Sequence, residues 1–218
     1  MSAPTSEVDI CNLILDELKQ GPINSIETPV TKTEYILARN YDQLRRESLY
    51  AHPWKFAITR IELTPNPSTE PLFGYTYAYD LPTDYLRLIT VGDDYIGDLR
   101  TEYEIENGQL LAVAGDVTFD GSTKLVRYMK DVTEVTKFSP GFIRYLVLRG
   151  AITLSNKFSV SPALKTDLKE DFERISTEAK AINGQERRPK KIQFSPLLSK
   201  RRGFPGGVFA TKYTDFGS

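Results

Sequence analysis

Tyr103-Glu104-Ile105-Glu106-Asn107-Gly108-Gln109-Leu110-Leu111 is the stretch on which the fold turns. Asn107-Gly108 separates two apolar-bearing segments, and a two-residue hairpin turn needs positive φ at both central positions, which Asn and Gly tolerate best. A β-hairpin is therefore predicted there. Asp120-Gly121 repeats the device between Val117-Phe119 and Leu125-Tyr128. Upstream, Trp54, Phe56 and Ile58 alternate, then Ile61 and Leu63, which reads as a strand with a slip between the two sets. Pro65-Asn66-Pro67 turns the chain. Phe73, Tyr75, Tyr77 and Tyr79 are then expected along one face of a second strand, and Leu86 to Val91 in a third. Residues 54–134 are accordingly expected to form an inserted β domain, an antiparallel sheet or small barrel.

Working outward from that insertion, the period changes to that of helices on both sides. Val8, Cys11, Ile14, Leu15 and Leu18 recur at helical spacing between about Ser6 and Gln20, and Gly21-Pro22 is expected to stop that helix. Thr31 and Glu34 have capping-box spacing for a second helix, where hydroxyl and carboxylate satisfy free N–H groups. Its inward stripe is Leu37, Tyr41, Leu44 and Leu49, and it must end before Pro53. Ser139-Pro140 opens a third helix carrying Phe142, Tyr145, Leu146, Arg149 and Leu154. Ser161 and Pro162 open a fourth, in which Leu164, Leu168, Phe172, Ile175, Ala179 and Ile182 form one stripe closed by Asn183-Gly184. Such a stripe is the core face of a bundle rather than a cofactor box. Residues 1–53 and 135–186 are thus expected to build one bundle of about four helices, giving an α+β fold of segregated layers.

Charge divides the chain differently. The sequence holds 28 Lys and Arg against 29 Asp and Glu. Eight of the bases lie after Glu186 (Arg187, Arg188, Lys190, Lys191, Lys200, Arg201, Arg202 and Lys212), with Asp215 as the one acid. That segment carries +7 and residues 1–186 carry −8, an asymmetry that points to a partner. Phe194, Leu197, Leu198, Phe204, Val208, Phe209, Tyr213 and Phe216 stud the same segment, more apolar groups than a solvating tail keeps. Residues 187–218 are read as an extended basic arm. At about 3.3 Å per residue it reaches roughly 100 Å, enough to cross a neighbouring subunit.

Catalytic chemistry finds little support. The phosphate-loop pattern GxxxxGK[ST] is absent, and Gly203, Gly206 and Gly207 precede no helix. Asp93, Asp94 and Asp98 share one loop, but their spacing misses the calcium-loop pattern, and acidic turn residues are common. Cys11 is the only cysteine, which leaves no internal disulfide and no cysteine-based zinc site. His52, the only histidine, stands before Pro53 at a helix end, where a capping or packing role is expected. No catalytic residue, metal ligand or cofactor is assigned. No stretch approaches the ~20 apolar residues of a membrane span, and MSAPTSEVD lacks the regions of a secretory signal.

Several segments together resemble the head-to-tail adaptors of short-tailed phages, the tail tubular protein A family. They are Ile10-Cys11-Asn12-Leu13-Ile14-Leu15-Asp16-Glu17-Leu18 in the opening helix, then Tyr41 and Leu49 with Pro53-Trp54-Lys55-Phe56-Ala57. Tyr77-Ala78-Tyr79-Asp80-Leu81-Pro82-Thr83-Asp84-Tyr85-Leu86-Arg87, Leu125-Val126-Arg127-Tyr128 and the late helix pair complete the order. The likeness spans roughly residues 6–184, and order and spacing carry it, since each motif alone is commonplace. The arm has no good counterpart in it. The resemblance implies a non-enzymatic ring, usually dodecameric, at the head-to-tail junction of a virion assembled in the host cytoplasm. The bundle would lie on the ring and portal side and the β domain towards the tail nozzle, with DNA passing through the channel without specific binding.

On that reading the arm is a strap binding portal or neighbouring subunits through Arg187, Arg188, Lys190, Lys191, Phe194, Leu197, Leu198, Lys200, Arg201, Arg202, Phe204, Phe209, Tyr213 and Phe216. An alternative is a nucleic-acid-binding module that uses the same bases on phosphates and the aromatics on bases. A loosely ordered tail is the bland reading, since chain ends are commonly so. Lipid contact is disfavoured because no amphipathic helical period is present.

Overall fold

The computed structural model describes residues 3–91, 103–113 and 123–186. Among them, two α-helices, six strands and two further α-helices follow in that order. The fold is α+β, a four-helix assembly with antiparallel β structure inserted at its middle. Contacts divide the chain into two units, Met1–Glu186 and Arg187–Ser218, and every described residue belongs to the first.

Helix α1 (Glu7–Glu17) starts with a capping box. Asp9 N–H donates to Ser6 Oγ at 3.1 Å, and Asp9 Oδ2 accepts from Ser6 N–H at 2.9 Å. The helix stops before Gly21-Pro22. Gln20 N–H donates to Leu15 O at 2.9 Å and Lys19 N–H to Asp16 O at 3.0 Å, with Lys19 at φ 55°. That hydrogen-bond pair is a Schellman stop, here built on a lysine rather than the usual glycine. Helix α2 (Lys32–Tyr50) has the expected box: Glu34 N–H donates to Thr31 Oγ1 at 3.3 Å, and Glu34 Oε2 accepts from Thr31 N–H at 2.8 Å. Leu37, Tyr41, Leu44 and Leu49 are all buried.

The expected strand from Trp54 is not one at its start. Lys55–Ala57 is a single 3₁₀ turn, and β1 begins only at Ile58 (Ile58–Leu63). The reason is the indole. Trp54 is fully buried among the helices, its ring 5.1 Å from that of Phe142 and 5.4 Å from that of Tyr145, and its Nε1–H donates to Ser48 O at 3.0 Å. The 3₁₀ turn lets Ala57, three residues on, face the same core.

Strands β2 (Tyr77–Asp80), β3 (Tyr85–Val91), β4 (Tyr103–Glu106), β5 (Gln109–Ala112) and β6 (Lys124–Lys130) complete two three-stranded antiparallel sheets. One has the order β1-β6-β3 and the other β2-β5-β4. The Asn107-Gly108 hairpin is as expected, with φ 47° and 76° and Glu106 opposite Gln109. The aromatic face is shorter than expected. Strand β2 starts at Tyr77, because Pro71 and the positive φ of Gly74 (78°) keep the preceding residues out of the ladder. Asp120-Gly121 lies outside the described residues.

Helices α3 (Pro140–Leu154) and α4 (Pro162–Gln185) are capped by Ser139 and Ser161 as expected. Phe142, Tyr145, Leu146 and Leu154 are buried, while Arg149 stays partly exposed and reaches Glu47 at 3.1 Å. Gly150 marks where α1 and α3 touch: a Cβ there would stand 2.7 Å from Ile14 Cδ1. Helix α4 runs through Gly184, and its stripe departs from expectation at the end. Ile182 is exposed and Asn183 is buried.

One large core joins all four helices, takes in Ala57 of the 3₁₀ turn and reaches the first sheet through Met129, with Ile58, Leu86 and Ile89 packed against it. A smaller core of Leu63, Tyr79, Leu110, Ala112 and Val126 lies between the two sheets. Along β6, Met129 therefore faces the helices and Val126 the second sheet, as strand alternation requires.

Candidate interaction surface

The expected strap residues all lie outside the described residues: Arg187, Arg188, Lys190, Lys191, Phe194, Leu197, Leu198, Lys200, Arg201, Arg202, Phe204, Phe209, Tyr213 and Phe216. So do Asp93, Asp94 and Asp98. What the structure supplies is the body from which the arm departs and the surface of that body.

The end of α4 is tied down at Asn183, four residues before Arg187. Asn183 Oδ1 accepts from Lys55 N–H at 2.8 Å, while its Nδ2 donates to Pro53 O at 3.1 Å and to His52 Nε2 at 2.9 Å. Because the amide oxygen is committed to an N–H, the nitrogen must face the imidazole, so Nε2 is the acceptor and His52 is neutral. Burial, followed by the positive charges of Lys180, Arg87 and Lys55, holds the His52 pKa below its ordinary value, which favours the same neutral form. The ring also stands edge-on to Trp54 with centroids 4.9 Å apart. The packing role expected for His52 is what its contacts show.

A second tie joins α2 to the exit of β6. Arg45 is only 3% exposed. Its Nη1 donates to Asp131 Oδ1 and, at 2.9 Å, to Val132 O, and Nη2 reaches Asp42 at 3.4 Å. Arg46 Nε meets the other oxygen of Asp131 at 3.3 Å. Cys11 is buried in the core, and burial pushes its thiol up to about 12, so it remains protonated near neutrality.

Two features of the surface stand apart. On the loop between β1 and β2, Leu72 is 96% and Phe73 87% exposed, with exposed Glu70 just before them. Large apolar side chains held side by side in water mark a contact site. Sequence reading placed Phe73 on a strand face; the flanking Pro71 and Gly74 were the signal against it. The second feature is a shallow groove of about 360 Å³ where α2, α3 and β3 meet, lined by Arg46, Glu47, Tyr50, Ala51, Leu86 and Arg149. Arg87 lies over the Tyr50 ring, 5.6 Å from its centroid. The groove was not legible in the sequence, because it is built from three distant segments.

Among the described residues, no three His, Cys, Asp or Glu side chains gather as a metal-holding group, and no helix is long and apolar enough to cross a membrane. Comparison with protein-family models finds no match, and comparison with curated proteins finds none either.

Proposed function

We propose that this chain is a structural, non-enzymatic adaptor of a phage virion, one subunit of a ring that joins the portal to the tail nozzle and leaves a channel for DNA. The observation that carries the reading is the segregation of charge and apolar groups. An acidic body with a tightly packed core continues into a segment of +7 studded with Phe and Leu. A polypeptide so divided binds by laying its apolar groups in a partner's grooves while its bases meet acids. Leu72 and Phe73, nearly fully exposed, support a role in protein contact. The order of motifs along residues 6–184 adds the phage adaptor resemblance.

In this reading the helical body faces the ring and portal, the β structure faces the nozzle, and the arm grips the portal or the next subunit. An acidic channel wall would offer DNA phosphates no counter-charge, so DNA would pass without sticking. Assembly takes place in the host cytoplasm and the finished ring sits at the head-to-tail junction. Electron microscopy of the purified protein, alone and mixed with portal, tests this. Rings are expected, of about twelve subunits if the resemblance to the phage adaptors holds in this respect too, with closure set by the rotation between neighbours, and removal of residues 187–218 is expected to weaken portal binding. A chain that remains monomeric in both samples would overturn the proposal.

The eight bases of the arm also favour a second reading, a nucleic-acid-binding module. It requires binding to duplex or single strands that collapses steeply between low and physiological salt. Absence of binding at low salt eliminates it.

A further inference from the structure

We infer that the loop bearing Glu70, Leu72 and Phe73 seats in the Tyr50–Ala51–Leu86 groove of a second copy of this chain. The inference rests on the reading of the protein as a ring subunit and names one contact that would build the ring.

The two surfaces match in chemistry. The loop offers two adjacent apolar side chains, 96% and 87% exposed, with one exposed carboxylate beside them. The groove offers apolar surface from Tyr50, Ala51 and Leu86, lined as well by Arg46, Arg149 and Glu47, whose carboxylate Arg149 holds. Each arginine already holds an acid, Arg46 through Nε to Asp131 at 3.3 Å and Arg149 through Nη2 to Glu47 at 3.1 Å. A guanidinium has five N–H donors, so both retain donors for Glu70. Arg87 lies over the Tyr50 ring, a cation–π contact at the edge of this lining.

The loop does not occupy the groove of its own chain, because Leu72 and Phe73 remain in water. Among the described residues, the loop is thus open to a second copy. Loop and groove are different patches, one between β1 and β2 and the other at the junction of α2, α3 and β3. A contact between unlike patches is heterologous: every copy gives a loop to one neighbour and receives a loop from the other. Such a contact closes into a ring when the rotation per subunit divides a full turn. A closed ring leaves no patch bare, whereas an open chain leaves one bare loop at one end and one bare groove at the other.

Sedimentation velocity on the full chain tests the contact, using Phe73→Asp to spoil the loop and Ala51→Trp to fill the groove. Both positions are exposed, so folding is preserved, and circular dichroism verifies it. Leu72→Asp and Tyr50→Ser serve as a second pair. Each variant alone is expected to associate about tenfold more weakly than the wild type, or worse. An equimolar mixture of a loop variant and a groove variant keeps one intact loop and one intact groove, so it is expected to form a one-to-one dimer and nothing larger. Wild-type oligomers that persist unchanged in both variants, or a mixture that forms no dimer, overturn the contact while leaving the ring reading standing. A wild-type chain that is monomeric at every concentration overturns the contact, and one that also stays monomeric when mixed with portal overturns the ring reading as well.

Discussion

Asn183, in the last turn of α4, donates through Nδ2 to Nε2 of His52 at 2.9 Å, across 131 residues of sequence. The same amide accepts from Lys55 N–H and donates to Pro53 O. One side chain thus fixes the corner where α2 ends and the sheet begins, and anchors the helix from which the arm departs.

Replacing that amide leaves backbone groups without partners. Asn183→Ala is expected to destabilise the protein by about 1–3 kcal/mol, the cost of stranding a part-buried N–H and carbonyl. Ile182→Ala, one residue away but exposed, is expected to stay within about 0.5 kcal/mol of wild type. Urea denaturation of the two variants measures the difference, and equal midpoints would refute the anchor.

His52 makes the anchor sensitive to pH. Its folded pKa lies below the unfolded value of 6.5, because burial and nearby Lys180, Arg87 and Lys55 disfavour the imidazolium. On acidification the unfolded chain therefore takes up the proton first. The stabilisation is fully present above 6.5 and is lost as pH falls from there towards the folded pKa. Glu7, whose pKa is raised mainly by burial, acts in the opposite direction at lower pH in any variant. Comparing wild type with His52→Gln isolates the histidine. The wild type is expected to lose more stability between pH 7 and 5, and parallel curves would contradict the neutral-acceptor assignment.

Arg45 and Arg46 are neighbours with opposite expectations. Arg45→Ala removes a buried cation and leaves Asp131 and Val132 O short of a donor, at a cost of about 3–5 kcal/mol. Arg46, 58% exposed, also meets Asp131, but solvent screens that pair and Arg46→Ala is expected to cost less than about 1 kcal/mol. Thermal or chemical denaturation ranks the two, and the reverse order would show that the geometry misjudges where the charge is buried.

Lys19 offers a gain. It holds φ 55° at the end of α1, a conformation that costs an L residue roughly 1 kcal/mol relative to glycine. Lys19→Gly is expected to raise stability by about 0.5–1 kcal/mol, seen as a higher denaturation midpoint with an unchanged slope.

The local signals in the sequence were read correctly where the physics is itself local. Thr31 with Glu34, Ser139 and Ser161 cap their helices through groups three residues apart, and Asn107-Gly108 turns because those residues accept positive φ. Periodicity named most of the helical core, and charge counting separated basic residues 187–218 from the acidic remainder. Reading failed where one residue answers to distant ones. Trp54 looked like the start of a strand but is captured by Phe142 and Tyr145; Asn183 looked like a helix stop but is spent on His52, Pro53 and Lys55.

The sequence by itself determined the α+β class, the helix starts and the hairpin, since these rest on periodicity and on neighbours within a few positions, and the division into an acidic stretch and a basic one, which is composition alone. Only the tertiary structure decided that Arg45 is buried against Asp131, that Leu72 and Phe73 stand in water, and that Tyr50, Leu86 and Arg149 share a groove. Those facts depend on which surfaces meet when distant segments pack, and no spacing along the chain encodes that directly.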